Sequence, residues 1–320
     1  MMDFGQDRII TDVAVSTLLG HGGGGDWKMK LAVPGYSDVC ERVLETGATT
    51  ITKSGTYPPW QGIWKDFDPR TWWCVQDHKD DSMLNSYGLT NSGALVNAQL
   101  ILNAFRAGYK VTPNISPQFH LGLETAINQA ILTIALYKEV LKDFFWCVEI
   151  NISCGNTKGK VVDNVESAIK LAAAVRAAFP WLKVIYKVNY DHPYELSQEL
   201  ETKQLADAIH AINSVRYEKV YGSPYTSPLY GKEGVNGGGS VSGGEIFDRF
   251  SFPYTKGLRK AIKLRILMGG GISCMDHVKM CLNECIDIRT DSLSVCTWPK
   301  RKSKSAIDLL TKSWVGTLRS

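Results

Sequence analysis

An apolar run that breaks into amides and a thiol is the chemically richest stretch of the chain: Glu149-Ile150-Asn151-Ile152-Ser153-Cys154-Gly155-Asn156-Thr157. Residues 146–152 read as a buried parallel strand, because a continuous apolar run of that length suits a strand covered on both faces. Its polar residues then fall at the C-terminal mouth, where α/β barrels and open sheets carry their active sites. Asn151 and Asn156 each offer an acceptor oxygen and two donor protons, which suits a flat ligand edged by alternating carbonyl and N–H groups. Cys154 stands between them and could act as base or nucleophile, since neighbouring cations pull a thiol down from its ordinary pKa of about 8.5. The competing reading is a strand-end turn in which the amides cap backbone groups and the thiol packs as a small apolar group.

Other strand ends point the same way. Thr49-Thr50-Ile51-Thr52-Lys53-Ser54 and Val184-Ile185-Tyr186-Lys187 are β-branched runs that each deliver a lysine. Asn85-Ser86-Tyr87-Gly88-Leu89 places another amide on a loop. Glycine turns at 237–244 and 268–271 bring bare backbone N–H groups that can cradle a phosphate, the second lying between a strand and a helix.

The elements that must position these residues alternate. Strands are expected at 48–53, 110–115, 146–152, 183–188, 215–221, 265–268 and 292–295, and helices at 124–142, 163–179, 194–212, 254–263 and 273–282. Repeated βα units imply parallel strands with right-handed crossovers, and seven or eight of them imply a closed (β/α)8 TIM barrel. The expected organisation is one domain over 1–320, with an irregular segment at 1–45 and a glycine-rich loop at 222–244 folding over the site.

With 320 residues, 44% of them hydrophobic, the chain can bury one large barrel core. Thirty-six basic against 32 acidic residues leave a net charge of +4, too balanced to imply nucleic acid. The dense charge run Lys300-Arg301-Lys302-Ser303-Lys304 reads as a solvated turn. No apolar stretch approaches the ~18 residues of a membrane span, and the first residues lack the basic start and apolar body of a signal peptide. Cytoplasm is therefore expected. Eight cysteines without a close CxxC pair read as reduced thiols. Cys274, His277, Cys281 and Cys285 share one helix face, but about 16 Å separates the first from the last at 1.5 Å per residue, so no metal site is expected. His21-Gly22-Gly23-Gly24-Gly25 reads as a turn, since no Gly-x-Ser-x-Gly elbow accompanies it.

Taken in order, these motifs resemble the dihydroorotate dehydrogenase family of flavin-dependent barrels over about residues 48–297. The match comprises the Thr-Lys strand end at Lys53, the Asn-Ser-x-Gly loop at 85–88, the Asn-x-Ser-Cys-x-Asn segment at 151–156, the strand-end Lys187 and the two late glycine turns. The resemblance implies FMN as cofactor and oxidation of dihydroorotate to orotate in pyrimidine biosynthesis. It makes Cys154 the base, a cysteine there being like the soluble class, and Lys53 and Lys187 the lysines at the flavin, with Lys53 also at the substrate carboxylate. Asn85, Tyr87, Gly88, Leu89, Asn151 and Asn156 are implied substrate contacts. Ser54, Val220, Gly243, Gly270, Gly271, Cys296 and Thr297 are implied cofactor contacts, beside Lys53, Asn151 and Lys187. A soluble electron acceptor such as fumarate is implied, with a partner subunit carrying iron–sulfur and a second flavin as the alternative; a homodimer is left open.

Three departures stand out. Gly155 replaces a usual proline, Cys296-Thr297 replaces a usual Gly-Thr, and Val220-Tyr221-Gly222-Ser223 sits where the family supplies an Asn-Ser or Asn-Thr pair for the substrate. The last predicts weakened orotate binding. Two other functions stay open: a barrel that keeps a flavin or phosphate site without turnover, and a flavin-free phosphate-sugar isomerase or lyase using Lys53 or Lys187.

Overall fold

The computed structural model describes residues 1–5, 8–25, 30, 34–65, 68–79, 81–153, 165–235, 237–287, 289–297, 299, 304 and 306–308. Its central sheet runs β1 (Val13–Ser16), β2 (Thr49–Ile51), β3 (Lys110–Thr112 and Asn114–Ile115), β4 (Cys147–Asn151), β5 (Lys183–Val188), β6 (Ala208–Ala211), β7 (Arg265–Met268) and β8 (Ser292–Val295). Pro113 divides β3 because it has no N–H to give the ladder, although its carbonyl still accepts from the Glu149 N–H at 2.8 Å. The two halves of β3 are the two ends of the sheet, in the order 3-2-1-8-7-6-5-4-3, and all pairs are parallel. A sheet that ends on consecutive pieces of one strand is closed, so the chain forms the expected (β/α)8 barrel.

Among the described residues, the helices of nine residues or more that pack outside are α1 (Tyr36–Thr46), α2 (Ala94–Arg106), α3 (Leu123–Leu141), α4 (Val165–Ala178), α5 (Tyr194–Thr202), α6 (Phe252–Ala261) and α7 (Met275–Glu284). Each turns an apolar stripe inward. In α3 the buried residues Ala126, Ala130, Ile134, Tyr137 and Leu141 recur every three or four positions. Among the described residues no helix is long and apolar enough to cross a membrane.

The barrel interior changes character along its axis. At the N-terminal end Ala14, Ile51, Cys147, Ile185, Ala208 and Leu267 form an apolar layer, closed below by Met2 and Ile10 of the hairpin Met2–Asp3/Ile9–Ile10. Met2 and Ile10 are completely buried, which at about 1.5–3 kcal/mol per side chain makes this plug a substantial part of the core. Toward the C-terminal mouth the inward positions turn polar.

The structure corrects the sequence reading at two strands. Within 1–45, expected to be irregular, Val13–Ser16 is β1 and Tyr36–Thr46 is α1. The helix expected over 194–212 ends at Thr202, and the strand expected at 215–221 is instead Ala208–Ala211. The helix ends in a Schellman turn: Leu205 N–H donates to the Leu200 carbonyl, Gln204 N–H to that of Glu201, and Gln204 has φ +54°. Residues 217–221 form a short helix.

Candidate active site

Two excursions from the barrel build the mouth. Residues 75–85, after β2, and 215–243, after β6, meet in an antiparallel sheet of order Val215–Arg216, Ser240–Gly243, Ser82–Asn85, Val75–Asp77. Beside this sheet a cleft of about 1720 Å³ opens over the C-terminal ends of the barrel strands. The glycine-rich stretch expected over the site thus enters it through Ser240, Ser242 and Gly243, which line the cleft.

One end of the cleft is a set of glycine turns. Gly243 (φ +105°) and Gly271 (φ +94°) pack on each other: a Cβ on Gly271 would lie 2.9 Å from the Gly243 carbonyl oxygen and 2.7 Å from the Phe247 nitrogen. No side chain fits between them, and the backbone is left bare toward the cleft. Gly270, Cys296 and Thr297 join the same wall, and the Thr297 hydroxyl lies 3.0 Å from that of Ser242. Loops after β7 and β8 beside a short helix, here Gly244–Ile246, are the usual phosphate cradle of such barrels.

The other end carries lysines and amides. Asn91, buried, ties the loops after β2 together: its Oδ1 accepts from the N–H groups of Thr56 and Gly93, and its Nδ2 donates to the Thr56 hydroxyl and the Leu89 carbonyl. Those loops carry Lys53, whose Nζ sits 2.9 Å from the centre of the Tyr87 ring. Tyr87 in turn stacks on Trp64, and Trp64 on Trp72, at centroid separations of 5.6 and 5.9 Å. From β4, Asn151 Nδ2 donates to the Ser54 hydroxyl at 3.0 Å, while its Oδ1 accepts from the Ser153 hydroxyl at 2.9 Å. Asn213, just past β6, extends the chain by donating to the Ser153 hydroxyl at 3.1 Å. Asn85 Nδ2 donates to the Ser240 carbonyl across the mouth sheet.

A buried ionic layer forms the cleft floor, with Lys187 and His210 lining it. Register places Glu149 beside Asn114, and Lys187 beside both Asn151 and His210. Glu149 accepts from Asn114 Nδ2 and from His210 Nδ1, the latter at 2.5 Å. Burial opposes charge on Glu149, but the Lys187 charge and the hydrogen bonds from His210 and Asn114 outweigh it and hold the carboxyl below the usual range. Burial, helped by the Lys187 charge, holds His210 below the usual histidine range against the pull of Glu149. The consistent state is a Glu149 carboxylate beside a neutral imidazole with its proton on Nδ1.

Of the residues singled out from sequence, Lys53, Ser54, Asn85, Tyr87, Leu89, Asn151, Lys187, Gly243, Gly270, Gly271, Cys296 and Thr297 line this one cleft. Gly88 and Val220 do not. Gly88 instead packs closely on Gly62 and Ile63, and the Val220 carbonyl accepts from Arg249 Nη1 at 2.8 Å. Cys154 and Asn156 lie outside the described residues. β6 ends at Ala211, ten residues before Tyr221, and the pair Asn213-Ser214 just beyond it lines the cleft. Tyr221 and Gly222, expected at the strand end, do not line the cleft. Sequence reasoning also missed Asn114, His210 and the ionic role of Glu149, which no local motif announces. Burial pushes Cys40 and Cys74 up to about 11 and Cys285 up to about 12, as for inert packing thiols. His277 stacks on Phe247 at 3.8 Å, with Cys281 and Cys285 in the core.

Fold and site define a closed (β/α)8 barrel with a glycine-walled, lysine- and amide-lined cleft at its C-terminal mouth. No family model matches the chain, and no curated protein matches it. Solved structures similar to it include dihydrodipicolinate synthase from Agrobacterium tumefaciens, 11% identical over 97% of this chain and 77% of that one with a TM-score of 0.47. The tryptophan synthase complex from Pyrococcus furiosus is 13% identical over 97% and 98%, with a TM-score of 0.46. Morphinone reductase in complex with tetrahydroNAD is 11% identical over 89% and 82%, with a TM-score of 0.40.

Proposed function

We propose that the chain is an FMN-dependent oxidoreductase of the dihydroorotate dehydrogenase type, oxidising dihydroorotate to orotate in the cytoplasm with a small soluble acceptor such as fumarate. The observation that carries this reading is the convergence of Lys53, Asn85, Asn151 and Lys187 with the Gly243, Gly270–271 and Thr297 turns in one cleft. These residues fit FMN: the turns offer backbone N–H groups where a Cβ has no room, and the buried Lys187 offers positive charge. When bound, FMN would supply the hydride acceptor.

The chain's own residues do the rest. Lys187 presents a positive charge at the cleft floor and would stabilise negative charge on a flavin held there. Lys53 is the cation for a substrate carboxylate, and Asn85, Asn151 and Asn213 present amides to the carbonyl and N–H edge of a pyrimidine. Cys154 as thiolate takes the proton from one ring carbon while hydride leaves the adjacent one.

One spectrum tests the reading. Purified protein reconstituted with FMN should show flavin absorption that bleaches on anaerobic addition of dihydroorotate. Flavin without bleaching would point to another substrate or an inactive barrel, and failure to bind FMN would sink the proposal.

A further inference from the structure

Barrels ordinarily fill their interior layers with branched apolar residues, yet β3 to β6 here place Asn114, Glu149, Lys187 and His210 on one layer, at 1, 0, 6 and 1% exposure. An apolar layer of similar volume would serve stability as well or better, because buried charges must recover a large desolvation cost. Both Glu149 oxygens are occupied, one by Asn114 Nδ2 and one by His210 Nδ1. A carboxylate only accepts, so Nδ1 carries the imidazole proton and Nε2 keeps its lone pair. His210 nonetheless lines the cleft. A Cβ on Gly269, at the end of β7, would come within 2.9 Å of Nε2, so glycine is what leaves that nitrogen uncovered. Lys187, the register partner of His210, lines the same cleft and is a donor only.

We propose that His210 Nε2 and Lys187 Nζ together read one edge of a planar ring in which an N–H adjoins a carbonyl, His210 being the specificity-determining acceptor and Glu149 the positioning residue that holds its tautomer. The inference rests on the flavin and pyrimidine reading of the cleft. Two rings in that reading carry such an edge: the pyrimidine end of FMN, and orotate.

The test compares each ring with its analogue methylated at the imide nitrogen, which lacks the N–H. Apoprotein is titrated with FMN and with methylated FMN, and FMN-loaded protein with orotate and with methylated orotate. In the wild-type chain one of the two pairs should differ by roughly 10-fold or more in affinity, the cost of one unmatched hydrogen bond, and which pair differs tells the two rings apart. In His210→Leu that preference should fall to about 1. In His210→Gln, whose amide can donate to Glu149 and accept from the ring, it should return. Equal affinities within both pairs in the wild type, or a preference that survives His210→Leu, overturns the proposal. Should His210→Leu not fold, nitrogen NMR of the wild type labelled at its six histidines decides: Nε2 of His210 should be unprotonated and respond to the parent ligand but not the methylated one. A protonated or unresponsive Nε2 overturns it. Failure of the wild type to bind FMN sinks the functional reading, and with orotate also unbound it sinks this one; normal binding without methyl discrimination sinks the His210 assignment alone.

Discussion

Replacing Gly271 by alanine puts a methyl group where the structure has backbone on several sides. The new Cβ would lie 2.7 Å from the Phe247 nitrogen and 2.9 Å from both the Phe247 Cα and the Gly243 carbonyl oxygen. None of these is the tip of a flexible side chain, so the glycine turns must part. The positive φ costs an alanine about 1–2 kcal/mol, and overpacking adds about 1–3 kcal/mol, giving roughly 2–5 kcal/mol in all. With an unfolding entropy of about 2.1 cal/mol/K per residue over 320 residues, each kcal/mol moves the melting temperature by roughly 1.5 °C. Gly271→Ala should therefore melt about 3–7 °C below wild type as apoprotein, and its FMN affinity, read by flavin fluorescence, should fall at least about 10-fold. Gly47→Ala is the control. Gly47 also has positive φ, but its nearest neighbour is the tip of the Lys110 side chain at 3.5 Å, and neither residue lines the cleft. It should lose about 1–2 kcal/mol and bind FMN normally. If Gly271→Ala keeps wild-type FMN affinity despite its stability loss, these turns do not hold the phosphate; if it loses no stability, the packing argument itself is wrong.

Asn213→Ala should weaken orotate binding about 10-fold, one lost ring partner, while leaving flavin content unchanged, as read by orotate titration of the oxidised spectrum; unchanged affinity would remove Asn213 from the site. Cys154→Ala should slow flavin reduction by dihydroorotate about 10²- to 10⁴-fold in stopped flow with FMN still bound, and a normal rate would exclude the thiol as base. Asp207 anchors the outside of the barrel: burial alone would raise its pKa, but hydrogen bonds from Lys183, Arg176 and the Val184 N–H hold it below the usual range. Its contribution is thus complete above the unfolded pKa of about 3.9 and disappears as pH falls through the lower folded value. Asp207→Asn should cost about 1.5–3 kcal/mol in urea unfolding at pH 7, with the gap to wild type closing below about pH 4; a gap constant to pH 2 would contradict the ion pairing.

What could be read from sequence was local in origin. The ends of β2, β4 and β5 were legible because an apolar run that breaks into Lys53, Asn151 or Lys187 carries its own orientation: the run must be buried, and its polar end must reach the mouth. The glycine turns at 243 and 270–271 were legible because only glycine tolerates the positive φ they adopt. β1 escaped because Val13–Ser16 is a short apolar stretch with no lysine, amide or glycine turn directly after it to mark a strand end.

The boundary between α5 and β6 escaped for a sharper reason. Its left-handed closing residue is Gln204 rather than glycine or asparagine, so nothing in the sequence marks where the helix stops, and Ala208–Ala211 reads as more helix. That single hidden boundary shifted the next strand by several residues and moved its expected end from Ala211 to Tyr221. Residue types and spacing therefore determined the barrel class, the strand-end lysines and the glycine walls. Only closure of the sheet decided which distant residues share a layer: Glu149 and His210 are 61 positions apart and meet at 2.5 Å because parallel register sets β4, β5 and β6 side by side, an alignment that no local pattern encodes.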